Sequence, residues 1–268
     1  MNAGLCRVAR GLAFAAATLF ATCAAHAGRN CEQRPPSAST IGRAMLLAEH
    51  TAAALERSGA RVVVLARAGQ DLSEYGLRYS HLGFAYRDGD GAQPTWRVVH
   101  KLNHCGSARA SLYRQGLGEF FLDDLWRYEA AAVVLAPAVQ ARLLPLLADN
   151  AAVARLDAPA YSLVAYPWSQ RYQQSNQWAL ETLAMAEAPA ATTRERAQAW
   201  LRTRSYEPTP LHLSAFKRLG ARIAAANVAF DDHPSDKRFD GRIETVTVDS
   251  VFRWLAGVGL GGPVQVIR

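Results

Sequence analysis

The chain has 268 residues, half of them hydrophobic, with 30 Lys and Arg against 23 Asp and Glu and a formal charge of +7. That length and apolar content suit one sizeable core and exclude a disordered tract or a fibrous repeat. The basic balance suits anionic partners such as cell-wall polymer or lipid headgroups, and no nucleic-acid-binding motif accompanies it.

Arg7 and Arg10 make a short basic region, residues 11–25 are almost wholly apolar, and Ala25-His26-Ala27 has the small-x-small form of a signal peptidase site. The apolar run is too short to span a bilayer comfortably, which predicts a cleaved signal peptide over residues 1–27. The mature chain then starts near Gly28, is periplasmic or secreted, and keeps 28 Lys and Arg against 23 acids. Thr22 argues against lipid attachment at Cys23. No later segment is long and apolar enough to cross a membrane. Cys6 and Cys23 leave with the signal, so Cys31 and Cys105 read as one disulfide in an oxidising compartment. The competing reading makes Cys105 a nucleophile beside His104.

In chain order, residues 29–39 are a polar, proline-bearing lead-in. Thr40 then caps a helix whose Ile41, Ala44, Met45, Ala48, Ala52 and Leu55 share a face, ending at Gly59. RVVVLA, from Arg61, reads as a buried strand and GQDLSEYG as a loop. YSHLGFAY and TWRVVHKL form two strands joined by RDGDGAQP, whose Asp-Gly pairs signal a hairpin. A Gly-containing loop follows, then a short helix at GEFFLDDLW, a strand at YEAAAVVLA and a helix from Pro137 to Leu147.

YSLVAY, from Tyr161, reads as a strand ended by Pro167 and Trp168. A helix spans SNQWALETLAMAEA, and Thr192 or Thr193 caps another that the Tyr206–Pro210 turn breaks. Residues 211–226 read as helical, DDHPSDKRFDG as a polar loop and RIETVTV as a strand. DSVFRWL is a short helix capped by Asp249, and GVGLGGP leads to a tail. No internal repeat or composition break divides residues 28–268, which are read as a single α+β domain.

Three residues carry the candidate chemistry. Period-two alternation sets His81 on one face of its strand with Gly83 and Ala85, while Leu82, Phe84 and Tyr86 take the other. The small residues let another element approach closely. His100, on the next strand with Trp96, Val98 and Leu102, is a plausible orienter for a His81 base, and whether the two share a side depends on the strand register. Ser175 stands at a helix N-terminus, where free backbone N–H groups favour negative charge. That place suits a nucleophile with its oxyanion and equally a plain N-cap serine.

The bland readings stand beside these. His100 and His104 are four apart on a strand, which does not bring them to one metal. Asp231, Asp232, His233, Asp236 and Asp240 lack a calcium-loop spacing. The Gly257–Gly262 run lacks the strand-loop-helix context of a phosphate loop. Neither a metal nor a cofactor is expected. Tyr166, Trp168 and Tyr172 are either cleft-lining or core aromatics.

The order of these pieces resembles the circularly permuted papain fold of NlpC-type hydrolases. There S-H-x-G comes early and N-C-x-x-aromatic opens a late helix. YSHLGFAY matches the first, with His81 in the base position. QSNQWALE matches the second, with Trp178 as the aromatic and Ser175 where the cysteine would be. His100 falls near the third, orienting polar residue, with Asn103 as the alternative. The mature chain also looks like an uncharacterised family of exported bacterial proteins, domain of unknown function 2145.

The resemblance implies an antiparallel sheet with a permuted papain-like core at about residues 60–187. Helical and strand additions follow over 190–256. It implies a cleft in which serine replaces cysteine, and a serine hydroxyl needs a general base where a thiol ionises readily. That replacement favours a binding or relict module for an envelope component. The alternative is a hydrolase or acyltransferase acting on an amide or ester of cell-wall peptide or lipid through Ser175, His81 and His100.

The cysteine reading has a direct test. Thiol titration of purified mature protein under non-reducing conditions finds no reactive thiol, and Cys31→Ser costs about 2–4 kcal/mol of stability. Two reactive thiols would refute the bridge.

Overall fold

The computed structural model describes residues 35–89, 95–123 and 125–268. The expected signal peptide, Cys31 and the second Asp-Gly pair of the hairpin lie outside the described residues.

Valine-rich β1 (Val62–Ala68) is buried along its whole length, as a strand covered on both faces must be. It pairs with β2 (His81–Asp88) on one side and β5 (Arg127–Leu135) on the other, both antiparallel. Beyond β2 lie β3 (Thr95–Asn103) and β4 (Ala110–Gly116), and beyond β5 lies β8 (Gly261–Ile267). The sheet order is β4-β3-β2-β1-β5-β8, with every pairing antiparallel. A second sheet holds only β6 (Thr209–His212) and β7 (Arg242–Thr245). The protein is therefore α+β around an antiparallel sheet.

Helices cover both faces of the large sheet. On one face α1 (Ala38–Ser58) and α2 (Leu117–Phe121) bury Ala44, Leu47, Leu55, Phe120 and Phe121 against Val63, Leu65, Ala85 and Val98. The other face is covered by α3 (Pro137–Ala148), α5 (Ser175–Glu187), α6 (Arg194–Thr203) and α9 (Val248–Gly257). Their side chains pack on Val62, Val64, Leu82, Phe84, Tyr86 and Val99. Between α3 and α5 run the single-turn α4 (Asn150–Val153) and a long irregular segment. Helices α7 (Ala215–Ala224) and α8 (Ser235–Phe239) belong with β6 and β7 around a separate small core of Leu211, Leu213, Phe230 and Ile243.

Several sequence expectations are corrected. Ser37, not Thr40, caps α1, its hydroxyl accepting from Thr40 N–H. Ile41 and Met45 of the expected inward face are exposed. YSLVAY is not a strand: Ser162 and Leu163 bond instead to the backbone at Ala229 and Asn227. The Tyr206–Pro210 turn leads into β6 rather than a helix, and α8 occupies part of the expected polar loop. Thr247, in a reciprocal capping box with Ser250, caps α9 in place of Asp249. The glycine-rich tail is β8, and Gly261 permits it because a Cβ there would fall 2.6 Å from Val133 Cγ1.

Gly83 has a similar purpose. A Cβ on it would stand 2.8 Å from both the Val99 carbonyl and the His100 Cβ. Gly83→Ala should lower the unfolding free energy in urea by about 1–3 kcal/mol. Gly116→Ala, where nothing lies within 4 Å of the added carbon, should stay within about 0.5 kcal/mol.

Candidate functional site

Strand alternation brings the two histidines together. His81 Nε2 lies 2.8 Å from His100 Nδ1, and the rings meet edge to face. His100 is wholly buried, and its Nε2 lies 2.7 Å from Gln115 Oε1 on β4. Gln115 in turn donates from Nε2 to Glu119 Oε1 on α2, at 3.0 Å. A carboxylate only accepts, which fixes the orientation of the Gln115 amide. Its carbonyl oxygen then accepts a proton held on His100 Nε2. With that proton placed, neutral His100 accepts at Nδ1 from His81 Nε2–H. Asn103, the alternative orienter, instead donates weakly to the His104 carbonyl.

Burial, aided by the nearby Arg67 guanidinium, pushes the His100 pKa down to about 3, against a smaller opposing effect of Gln115. Arg67 pairs directly opposite His81 across β1 and β2, so the two share a face. Its buried guanidinium bonds to the Phe120 carbonyl and Asp123 and lies over the Phe120 ring. Phe120 also packs on both imidazoles. The result is a small polar array, under α2, built around an aromatic ring.

Ser175 belongs to the other face. It is the first residue of α5, buried, with the buried phenol of Tyr161 beside it. Among the described residues no hydrogen bond joins Ser175 to either histidine. Nor is Ser175 the helix cap. Gln174 caps α5: its side-chain oxygen accepts from Asn176 N–H, and its amide donates to Thr245 Oγ1 and the Val246 carbonyl. The start of α5 nevertheless meets the start of β2, where Asn176 Oδ1 accepts Leu82 N–H at 3.0 Å.

The sequence reading missed the polar network behind that helix. Glu181, fully buried, accepts from Arg194, Gln173, Gln177 and Gln198. Gln173 also accepts from Lys101, whose buried ammonium bonds to Asp157 and the Ala158 carbonyl. Burial holds the Lys101 pKa below the ordinary lysine value although Asp157 opposes it. The visible signal was the run of glutamines at 170, 173, 174 and 177 ahead of Glu181, with 177 and 181 one helical turn apart.

The remaining candidates have ordinary partners. His104 Nε2 meets Ser111 Oγ. Cys105 is not free, and its expected partner Cys31 lies outside the described residues. Asp231 pairs with Arg171, and Asp232 accepts from Tyr166 N–H and faces His233. Among the described residues no group of three or more potential ligands is placed to hold a metal ion. Tyr166 packs on His233, and Trp168 packs on Tyr206 with Arg202 over its ring. No helix among the described residues is long and apolar enough to cross a membrane.

Residues 54–255 match the family described as an uncharacterized protein conserved in bacteria, DUF2145. The chain belongs to that family. No curated protein and no solved structure matches it. The DUF2145 match takes in His81, His100, Gln115, Ser175 and the Glu181 network, and starts within α1.

The proton placement has a pH consequence. The unfolded imidazole has a pKa near 6.5 and the folded one is depressed, so His100 contributes its full stability above about pH 6.5. That contribution is lost as pH falls toward 3. Nitrogen-15 NMR should show His100 neutral and protonated at Nε2 throughout pH 5–8, while unfolding free energy falls by up to about 1.4 kcal/mol per pH unit below 6.5 from this group. A His100 titration midpoint near 6.5 would contradict the array.

Proposed function

We propose that this protein is a non-catalytic binding module of the bacterial envelope. Its frame would be that of a circularly permuted papain-like hydrolase, with Ser175 in place of the cysteine nucleophile. The observation that carries the reading is the separate use of the two halves of the expected dyad. The Ser175 hydroxyl lies beside the buried phenol of Tyr161, while His81 is bonded to His100 on the face covered by α2. A serine nucleophile needs its base within hydrogen-bond reach. The neighbouring polar residues of the motif, Gln174, Asn176 and Gln177, are engaged in internal hydrogen bonds. The basic surface and the expected signal peptide support an anionic component of the wall or membrane as ligand.

One observation favours the second reading, a hydrolase or acyltransferase acting through Ser175 and His81. Asn176 joins the first turn of α5 to the backbone one residue from His81, which brings the helix N-terminus close to the histidine-bearing strand. Free N–H groups of that turn would then serve the oxyanion.

A fluorophosphonate serine probe separates the two. The binding reading expects no labelling of the mature protein, with retention on purified cell-wall sacculi that Trp168→Ala reduces. Covalent labelling of Ser175, abolished in Ser175→Ala and in a folded His81→Ala, would establish the enzyme and overturn the binding reading.

A further inference from the structure

Helix α7 turns its apolar side outward. Phe216 is 88% exposed and Leu219, one turn on, is 58% exposed. The opposite side of the helix is the one that packs: Ala221 lies against the small core of Leu211, Leu213 and Ile243, and Ala225 just beyond the helix is buried in it. At about 100° per residue, Phe216 and Leu219 lie within one narrow arc, with Lys217 flanking it on one side and Arg222 on the other. The helix carries Lys217, Arg218 and Arg222 and no acidic residue.

Helix α8 extends the same surface. Phe239 at its end is 74% exposed, with the Arg238 guanidinium 5.1 Å from its ring centre. The chain after it is tied to the start of α7, since Leu213 N–H bonds to the Gly241 carbonyl at 2.9 Å. Gly241 is required there: its φ is 74°, and a Cβ would fall 3.0 Å from the Leu213 carbonyl. The β6–β7 pair behind gives both helices a fixed base. Acidic groups nearby are Glu74, which pairs with Lys217, and the exposed Asp236 and Asp240. Among the described residues no salt bridge holds Arg222 or Arg238.

We propose that α7 and the end of α8 form a membrane-docking face for an anionic lipid bilayer. Phe216, Leu219 and Phe239 would enter the headgroup–acyl boundary while Arg222, Arg238 and Lys217 meet lipid phosphates. An outward apolar arc bordered by cations is the pattern of a helix lying in a bilayer interface. Charge chooses this occupant over a second copy. Two such faces would set cation against cation on mature chains that each carry 28 Lys and Arg against 23 acids, whereas an anionic leaflet offers apolar depth and opposite charge together. This surface does not involve Ser175 or the histidines, so the docking and the fate of the proposed binding site are independent.

The test is co-sedimentation of the mature protein with vesicles. Binding is expected to phosphatidylethanolamine and phosphatidylglycerol at about three to one, and to fall at least about tenfold on pure phosphatidylcholine. Phe216→Ser with Leu219→Ser, and separately Arg222→Glu with Arg238→Glu, should each weaken binding to the anionic vesicles by at least about tenfold. Phe216, Leu219 and Arg222 are exposed and Arg238 is half-buried, and unchanged thermal unfolding confirms that the variants fold. Absence of binding to anionic vesicles, undiminished binding by both variants, or equal binding to neutral vesicles would overturn the proposal. So would a concentration-dependent dimer lost in the Phe216 and Leu219 variant, which would assign the face to a second copy.

Discussion

The side of the sheet that carries α5 depends on the buried carboxylate of Glu181. A charge removed from water costs several kcal/mol unless partners surround it. Here Arg194 supplies the counter-charge, and Gln173, Gln177 and Gln198 supply the remaining donors. The donors come from three stretches: Gln173 from the irregular segment before α5, Gln177 from α5 itself, and Arg194 and Gln198 from α6. One carboxylate thereby fixes three stretches of backbone that share no regular hydrogen bonding. Arg194 extends the hold by donating to the carbonyls of Ser169, Gln170 and Tyr172. The glutamine-rich run ahead of the helix is thus a framework for a segment that cannot form a strand.

The sheet divides the chemistry. One face receives α5 with Lys101, Gln173 and Glu181; the other receives α2 with Arg67, His81 and His100. The division follows from period-two alternation along β3, where Lys101 and His100 are neighbours in sequence and occupants of opposite layers. Gly83 is the point of contact between the histidine layer and the strand beside it, because only a residue without a side chain leaves room for His100 Cβ. Helix α5 and strand β2 meet through the Asn176 side chain, whose Oδ1 accepts Leu82 N–H.

Periodicity made much of this legible in the amino-acid order. The valine run of β1, the alternation from His81 to Tyr86, and the long apolar repeat of α5 fall where their patterns place them. Adjacent strands for His81 and His100 were legible, but whether the two share a side was not, because that depends on a register the sequence does not show. The β2–β3 pairing supplies it. Beta-strand β4 was missed because Ala-Ser-Leu-Tyr-Arg-Gln-Gly has no sustained apolar alternation, and with it went Gln115, the residue that orients His100. YSLVAY has strand composition, but its neighbours offer side-chain and loop partners instead of a ladder. Gln174 was overlooked as a cap because shorter side chains usually fill that role. Its longer amide reaches both its own helix and β7. Glycine content disguised β8, where the missing side chains admit close packing against Val133 rather than freedom.

The placement of β8 bears on how the molecule is made. It is the last of the described elements in the chain, yet it borders β5, whose other neighbour is the central β1. The residue after it joins the assembly further, with the Arg268 guanidinium meeting Glu129 and its main-chain oxygen bonded to His50 of α1. A nascent polypeptide therefore leaves one flank of β5 unpaired until synthesis has reached residues 261–267. Such a delay postpones locking of the native state until the sixth strand completes the large sheet.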